Sequence, residues 1–564
     1  MVIEINLINY FYLPWQFFII SCFIEDMNIA NISFNKFNAY FPSFSKTTDT
    51  KGFEGEKNSH FFNYPTNNIY SYIDSIKNKN SLSIYYYNDT HGNSDSMAGV
   101  VYGAKNFKNQ NKDNQNFVLS AGDNFSGAIV EKNAFIEDLM KNLMEVDVSA
   151  IGNHEIDAGA KGFFDITSKK NLSFVASNVE FDSDNPMNGF VKKSIVKEKN
   201  GVKYGFIGAM PIDFASCIKK EASKGINVLD FDKTVQALQD EIDKLKKQGI
   251  NRIILLSHTG YETDKKLVSN LDGVDIVIGG HSHSVVEGAV KDENLVKSKS
   301  GEPVIITQAG ENGKYYGILN VEFDNKGVIT KVQNNLYKSA NQEKSPIIEA
   351  IKEKTLGKSP LVATIAKIDK MPKNRRIEPS AWTALMADSI KEELGVEVSF
   401  INSANIRKVP KAGKLTQRDI QESAPMKNNL IKTRVTQKQM IEAIKNAAKA
   451  SMTSYEGYPG LIQGSGFTYK IDDKGNLLEF NIVDKQGQKT PININNPDDD
   501  ITYSAAYDTF MAQIDGETPE LAVKFDKEEF DFDKDKTTCD YLSKLDNKDN
   551  LVITYDNRIE IVET

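Results

Sequence analysis

Short apolar runs recur between Leu82 and Gly279, separated by more polar, helix-like stretches. Leu82–Tyr87, Phe117–Ala121, Val146–Ile151, Ser173–Ala176, Tyr204–Gly208, Ile253–Ser257 and Asp275–Gly279 read as strands. Thr234–Gln248 keeps an amphipathic helical period and stops at Gly249. This alternation predicts an α/β layered fold, and in such folds ligands gather at the strand ends. Pro346 would begin a connecting helix over Ser345–Leu356, with Ser345 as its cap. Beyond it, helical patterns at Ala381–Leu394 and Gln437–Ala450 mix with strands at Val398–Ile401, Ile501–Ala506 and Leu551–Tyr555. Residues 24–80 are rich in Asn, Ser, Phe, Tyr and Lys without a period, which suggests a loosely ordered arm. The expected division is an arm over 1–80, a first domain over 81–340, a linker helix over 341–361 and a second domain over 362–564. The Asp/Lys run at 526–537 reads as a solvated face or loop.

A chain of 564 residues has room for several domains. Its net charge of -9 argues against broad nucleic-acid binding, which needs a basic footprint. The three cysteines, Cys22, Cys217 and Cys539, are far apart and odd in number, so neither a disulfide framework nor a paired-cysteine metal site is indicated. Residues 8–23 are strongly apolar, but Pro14 interrupts them and no Lys or Arg precedes Lys36. The run is too short for a membrane span. It reads either as a secretory signal ending in a lipoprotein-like box, Ile19-Ile20-Ser21-Cys22, or as a mis-set start or buried segment.

The histidines carry the chemical signal. Five of the six lie in glycine-flanked or strand-end blocks. Asn88-Asp89-Thr90-His91-Gly92 comes first, then Gly122-Asp123 and Gly152-Asn153-His154-Glu155. Ser257-His258 and Gly279-Gly280-His281-Ser282-His283 complete the set. Neutral imidazoles, carboxylates and an amide oxygen are the donors expected around a pair of divalent metals. His60 falls outside every block and reads as a surface residue.

In this order, the blocks resemble those of the calcineurin-like metallophosphoesterases. Asn88–Asn93, Gly152–Gly159 and Gly279–Ser284 are similar to the motifs of the bacterial 5'-nucleotidases. The resemblance covers about residues 81–560. It implies a four-layer α/β/β/α sandwich followed by an α+β 5'-nucleotidase C-terminal domain. It also implies two divalent ions, whose ligands suit Mn, Zn, Co or Fe. Asp123 would bridge them. Asp89, His91 and His283 would complete one site, and Asn153, His258 and His281 the other. Two such ions can clamp a phosphoryl oxygen and activate water. His154 would assist the leaving oxygen, and Asp157 would orient it.

The second domain carries the resemblance less evenly. Arg375-Arg376-Ile377-Glu378 and Asn402–Arg407 match substrate-binding motifs in part, which implies contacts from Arg375, Asn402 and Arg407. Arg376 reads either as the true contact or as a surface cation. Asn428 would meet a base, and Phe510 would be one ring of a base clamp. Met426 stands where the family has the other ring. Asp515 would lie near the ribose, although its surrounding loop departs from the family pattern. Gln463–Gly466 is family-like and reads as structural.

The implied activity is 5'-nucleotidase. The altered clamp keeps 2',3'-cyclic nucleotides, nucleotide sugars and NAD-like pyrophosphates open as substrates. It also leaves open a catalytically weak surface binding protein. The implied location is periplasmic or at the cell surface, with a possible lipid anchor at Cys22.

Overall fold

The computed structural model describes residues 80–112, 114–126, 130–170, 172–340, 346–369, 371–454, 459–514 and 518–563. Cys22 and the apolar run before it, the arm, His60, Ser345 and Asp515 lie outside the described residues. Among the described residues, no helix is long and apolar enough to cross a membrane.

Two sheets face each other in the first part of the chain. One has the strand order Ile329–Lys338, Tyr315–Phe323, Ser81–Tyr87, Asn116–Ser120, Val148–Ala150, Phe174–Val175. Its last four strands are parallel. The other runs Val285–Val286, Pro303–Ala309, Ile276–Ile278, Ile253–Ser257, Val202–Ala209, Ser194–Lys199, with Leu295–Lys297 beside Pro303–Ala309.

Side-chain alternation sorts the layers. Ile84, Tyr86, Phe117 and Leu119 point between the sheets, where they meet Phe206, Ile254, Leu256 and Ile276. Their neighbours Tyr85, Tyr87 and Val118 point outward into a core shared with helices Met97–Gln110, Val130–Asp138 and Gly159–Thr167. On the far side, Ile253, Leu255, Val277 and Val304 pack under helices Phe231–Lys247 and Tyr261–Asn270. The result is four layers, α/β/β/α. Strands buried on both faces lose the polar alternation of a half-exposed sheet, which is why they stand out as apolar runs.

The second part is α+β. A five-stranded sheet is ordered Ile462–Ser465, Val398–Asn402, Thr502–Asp508, Leu430–Thr436, Glu528–Glu529, and it is flanked by sheets of three and four strands. Helix Ala381–Leu394 occupies its expected range, because Ser380 accepts a bond from the Thr383 amide at its start and Gly395 leaves it at φ 60°.

Several expected boundaries move. The amphipathic helix starts at Phe231 rather than Thr234, because Asp230 accepts a bond from the Lys233 amide. Helix Gln437–Thr453 runs past Ala450. The strand expected at Val146–Ile151 shrinks to Val148–Ala150, and that at Leu551–Tyr555 to Leu551–Ile553. The Asp/Lys run at 526–537 is solvated over its first half, where Asp526–Glu529 and Asp531 are exposed, but it turns inward at Asp533–Asp535. Lys534 is 1% exposed and Asp535 is 3% exposed, since helix Lys534–Lys544 begins inside the fold.

Candidate functional site

Each block of candidate ligands follows the C-terminal end of a central strand. Asp89 lies beyond Ser81–Tyr87, Asp123 beyond Asn116–Ser120, and Asn153 beyond Val148–Ala150. His258 follows Ile253–Ser257, and His281 follows Ile276–Ile278. The turns that aim these side chains are tight. Asp89, His91, Asp123, His281 and His283 all have φ between 48° and 75°, a left-handed conformation that costs free energy in residues with a Cβ. Gly152 permits the closest approach, since a Cβ there would lie 2.1 Å from Asp123 Oδ1.

The donors converge. His283 Nε2 is 3.3 Å from Asp89 Oδ1 and 3.0 Å from His91 Nε2. His258 Nε2 is 3.1 Å from Asp123 Oδ2 and 3.8 Å from Asp89 Oδ1. Asp123 thus stands between the Asn153–His154 turn and His258, with Asp89 beside them. Burial disfavours a charge on Asp123, yet His258 and His154 hold its carboxyl well below the ordinary carboxylate range.

Cations fit this donor set. Asn153 Oδ1 is buried with no hydrogen-bond partner, and an unpaired buried polar atom is costly unless an ion or ligand meets it. Supporting groups already orient the donors. His258 Nδ1 is 2.6 Å from the Ala121 carbonyl, which leaves Nε2 to face the carboxylates. The Asn88 amide donates to Asp89 Oδ2 at 2.6 Å.

Three supporting carboxylates had no assigned role in the sequence reading. Glu155 accepts bonds from the Gly152, Asp123 and Asn124 amides at 2.7–2.8 Å, tying two ligand loops together. Glu311 Oε2 lies 3.0 Å from His283 Nδ1. Asp213 Oδ1 lies 3.3 Å from His281 Nε2. Only the blocks themselves offered a signal for Glu155; Glu311 and Asp213 stand in no motif.

His154 sits at the edge of this nest. Its Nδ1 is 3.0 Å from Asp157 Oδ2, and its amide donates to Asp123 Oδ1 at 2.8 Å. Burial works against a charge on the ring, but Asp157 and Asp123 outweigh it and hold its pKa above the ordinary value.

The second part of the chain closes the site into a cavity of about 330 Å³. Arg407 Nη2 faces His154 Nε2 at 3.2 Å, and Arg376 Nη2 faces His283 Nδ1 at 3.3 Å. Arg376 is therefore no surface cation. Arg407 Nε and Nη1 are buried without partners. Burial, together with the charges of Arg375 and Arg376, pulls the Arg407 pKa down to about 10. Two guanidiniums beside a carboxylate–imidazole nest make a receptor for a phosphate-sized anion.

Met426, Asn428 and Phe510 line the same cavity. Two expected contacts are placed elsewhere. Arg375 donates to Glu311 Oε1 at 2.7 Å, outside the cavity lining. Asn402 accepts from the Ala404 amide at 2.8 Å and caps the turn, while Asn405 reaches the cavity.

The loops of Met426–Asn428 and Phe510 are fastened to one helix start. Lys427 Nζ lies 2.7 Å from Asp533 and 2.8 Å from Asp535. Lys534 Nζ lies 3.1 Å from Asp508, whose other oxygen accepts from the Met511 amide. One helix start thus holds both the Met426–Asn428 loop and the Phe510 turn.

Comparison with known proteins agrees with this geometry. Residues 82–285 match the calcineurin-like phosphoesterase family, and residues 361–520 match the 5'-nucleotidase C-terminal domain. The trifunctional nucleotide phosphoesterase protein YfkN of Bacillus subtilis (strain 168) is 26% identical over 489 residues, covering 76% of this chain and 32% of that protein. The 5'-nucleotidase of Mus musculus is 34% identical over 251 residues, covering 41% of this chain and 42% of its own length. The chain spans about a third to a half of the length of these curated relatives. Among solved structures, the 5'-nucleotidase precursor from Thermus thermophilus shares the fold with a TM-score of 0.72 at 23% identity, over 86% of this chain and 99% of that one. With both matched domains in sequence order around one cavity, the chain belongs to the 5'-nucleotidase family, a calcineurin-like phosphoesterase domain followed by a 5'-nucleotidase C-terminal domain.

Proposed function

We propose that the chain is a metal-dependent phosphoester hydrolase that releases phosphate from nucleoside 5'-monophosphates. One observation carries this reading. The carboxylate–imidazole nest and the unpartnered Arg407 donors open into one cavity, whose lining also includes Met426, Asn428 and Phe510. An anionic head and a flat apolar tail are thereby accommodated together.

Asp89, His91, Asp123 and His283 would hold one divalent ion, and Asp123, Asn153, His258 and His281 the other. Bound there, the ions would supply Lewis-acid polarisation of phosphate and activation of water. Mn, Zn, Co and Fe all suit these ligands. Arg376 and Arg407 would grip the phosphoryl oxygens. Water adds to phosphorus as the bond to the 5'-oxygen breaks, and His154, held by Asp157, delivers a proton to that oxygen. Asn428 would hydrogen-bond the base between Met426 and Phe510. The proposed domain limits are 81–340 and 362–564, joined by the helix Pro346–Leu356. Placement in the periplasm or at the surface is part of the same proposal, supported by the apolar run before Cys22.

Met426 favours a second reading. A flexible thioether in place of a ring accepts more shapes than an aromatic pair, so cyclic nucleotides, nucleotide sugars or NAD-like pyrophosphates compete as substrates. Phosphate release with Mn²⁺ from AMP, UDP-glucose, NAD and 2',3'-cyclic AMP separates these readings, with a helper phosphatase for products that hold their phosphate. The fastest release is expected from AMP, abolished by EDTA and by Asp123→Asn. A preference for a diester would move the assignment to the second reading. Metal-independent or absent hydrolysis would sink both.

A further inference from the structure

A second donor cluster lies in the cavity wall, beside the binuclear nest. A carboxylate oxygen of Asp213, Sγ of Cys217 and a ring nitrogen of His281 lie within 4.8 Å of one another. All three residues line the cavity. The Asp213 side chain is 51% exposed and that of His281 is 21% exposed, so an ion arriving from solvent can reach them. Cys217 forms no disulfide.

From this geometry we infer a third cation site, in which Asp213, Cys217 and His281 capture a soft divalent ion of the zinc or cadmium class and so inhibit the enzyme. The donor set differs from the nest in one decisive respect. The nest offers only nitrogen and oxygen, whereas this cluster adds a thiol, and thiolate ligands select softer ions. Zinc bond lengths place tetrahedral donors roughly 3.3–3.8 Å apart, so a modest closing of two partly exposed side chains completes the site. Binding releases the Cys217 thiol proton to solvent as the sulfur–metal bond forms.

The site is coupled to the nest through His281. A neutral imidazole has one bare nitrogen and can serve one ion at a time. An ion held by Cys217 and Asp213 therefore takes His281 from the binuclear centre. Inhibition should follow and should be relieved by excess Mn²⁺. This arm rests on the proposed hydrolase activity; metal capture itself does not.

The test uses the full chain preloaded with Mn²⁺ and titrated with Cd²⁺, with ultraviolet cadmium–thiolate absorption as the first readout. Absorption is expected to saturate near one equivalent in the parent and in Cys539→Ser. Cys217→Ser should lose it, and Asp213→Asn should weaken Cd²⁺ affinity at least tenfold with the thiol still present. The Cd²⁺ concentration for half-inhibition of AMP hydrolysis should rise at least tenfold in Cys217→Ser. Unchanged absorption in Cys217→Ser would overturn the site. Unchanged affinity in Asp213→Asn would reduce it to a lone thiol and overturn it equally. Lost absorption with unchanged inhibition would refute the coupling through His281. A parent that binds Cd²⁺ in this way without hydrolysing AMP would sink the nucleotidase reading and leave the metal site standing.

Discussion

At the scale of single residues, His154 has partners with opposite preferences. Asp157 and Asp123 favour the protonated ring, and Arg407 favours the neutral one. Under the proposed mechanism, an anion that engages Arg407 would free the ring to act on it. Replacing His154 with Ala is expected to leave the ion content intact, by elemental analysis, and to lower turnover by about 10²–10⁴. Gly152→Ala should do the reverse of the first effect. Its added Cβ has no room beside Asp123 and His258, so the purified variant is expected to hold fewer than two ions. The contrast explains what was legible in the sequence. Asn153 and His154 are recognisable because their block combines a candidate metal donor, a candidate acid–base group and an obligatory small residue. Glu155 in the same block had no assigned role, because its partners Asp123 and Asn124 sit 32 and 31 residues away. Asn402 shows a related ambiguity: an Asn before a turn serves as a cap as readily as a ligand contact, and here its Oδ1 caps the turn.

At the scale of elements, the start of helix Lys534–Lys544 holds the loops of Met426–Asn428 and Phe510, the proposed nucleoside wall. Its first residues are charged and sequential, which from sequence alone is indistinguishable from a solvated run. Only the fold supplies the counter-charges, Lys427 and Asp508. Breaking a buried ion pair by removing one partner costs about 3–5 kcal/mol, because the other charge stays buried. Lys534→Met should therefore raise KM for AMP several-fold while leaving p-nitrophenyl phosphate, which has no nucleoside, nearly unaffected. Lys534→Arg should restore AMP. Equal loss on both substrates would mean that the helix stabilises the domain without shaping the wall. Strands posed the opposite difficulty. The buried central runs were visible, whereas Tyr315–Phe323 and Ile329–Lys338 were missed because polar residues interrupt them: Asn320 and Glu322 sit at half-buried positions of the first, and Thr330, Lys331, Gln333 and Lys338 are exposed on the second.

At the scale of the whole molecule, the cavity belongs to both domains. Arg376 and Arg407 come from one, and the ligand nest comes from the other. The join is reinforced at Asp95, which pairs with Lys408 at 2.6 Å and with Lys352 at 2.8 Å. Ions that bind only the folded chain stabilise it by mass action, by about 2.7 kcal/mol at roughly 100 times Kd. Calorimetry should therefore show Tm falling on EDTA treatment and recovering with Mn²⁺. An unchanged Tm would mean that the nest holds no ion under those conditions. None of these cross-domain contacts was readable beforehand, since they join residues 93 to 313 positions apart.

Glu311 touches the ligand His283 on one side and Arg375 of the other domain on the opposite side. That double contact limits how such proteins can be recombined. A chimaera that takes its C-terminal half from one relative and its N-terminal half from another inherits the acid and the arginine from different parents. If either parent has lost its member, the graft leaves a buried charge beside a metal ligand, although both halves are individually sound. The unit that can be exchanged is thus the whole pair of domains, and a successful swap has to carry Glu311 and Arg375 together.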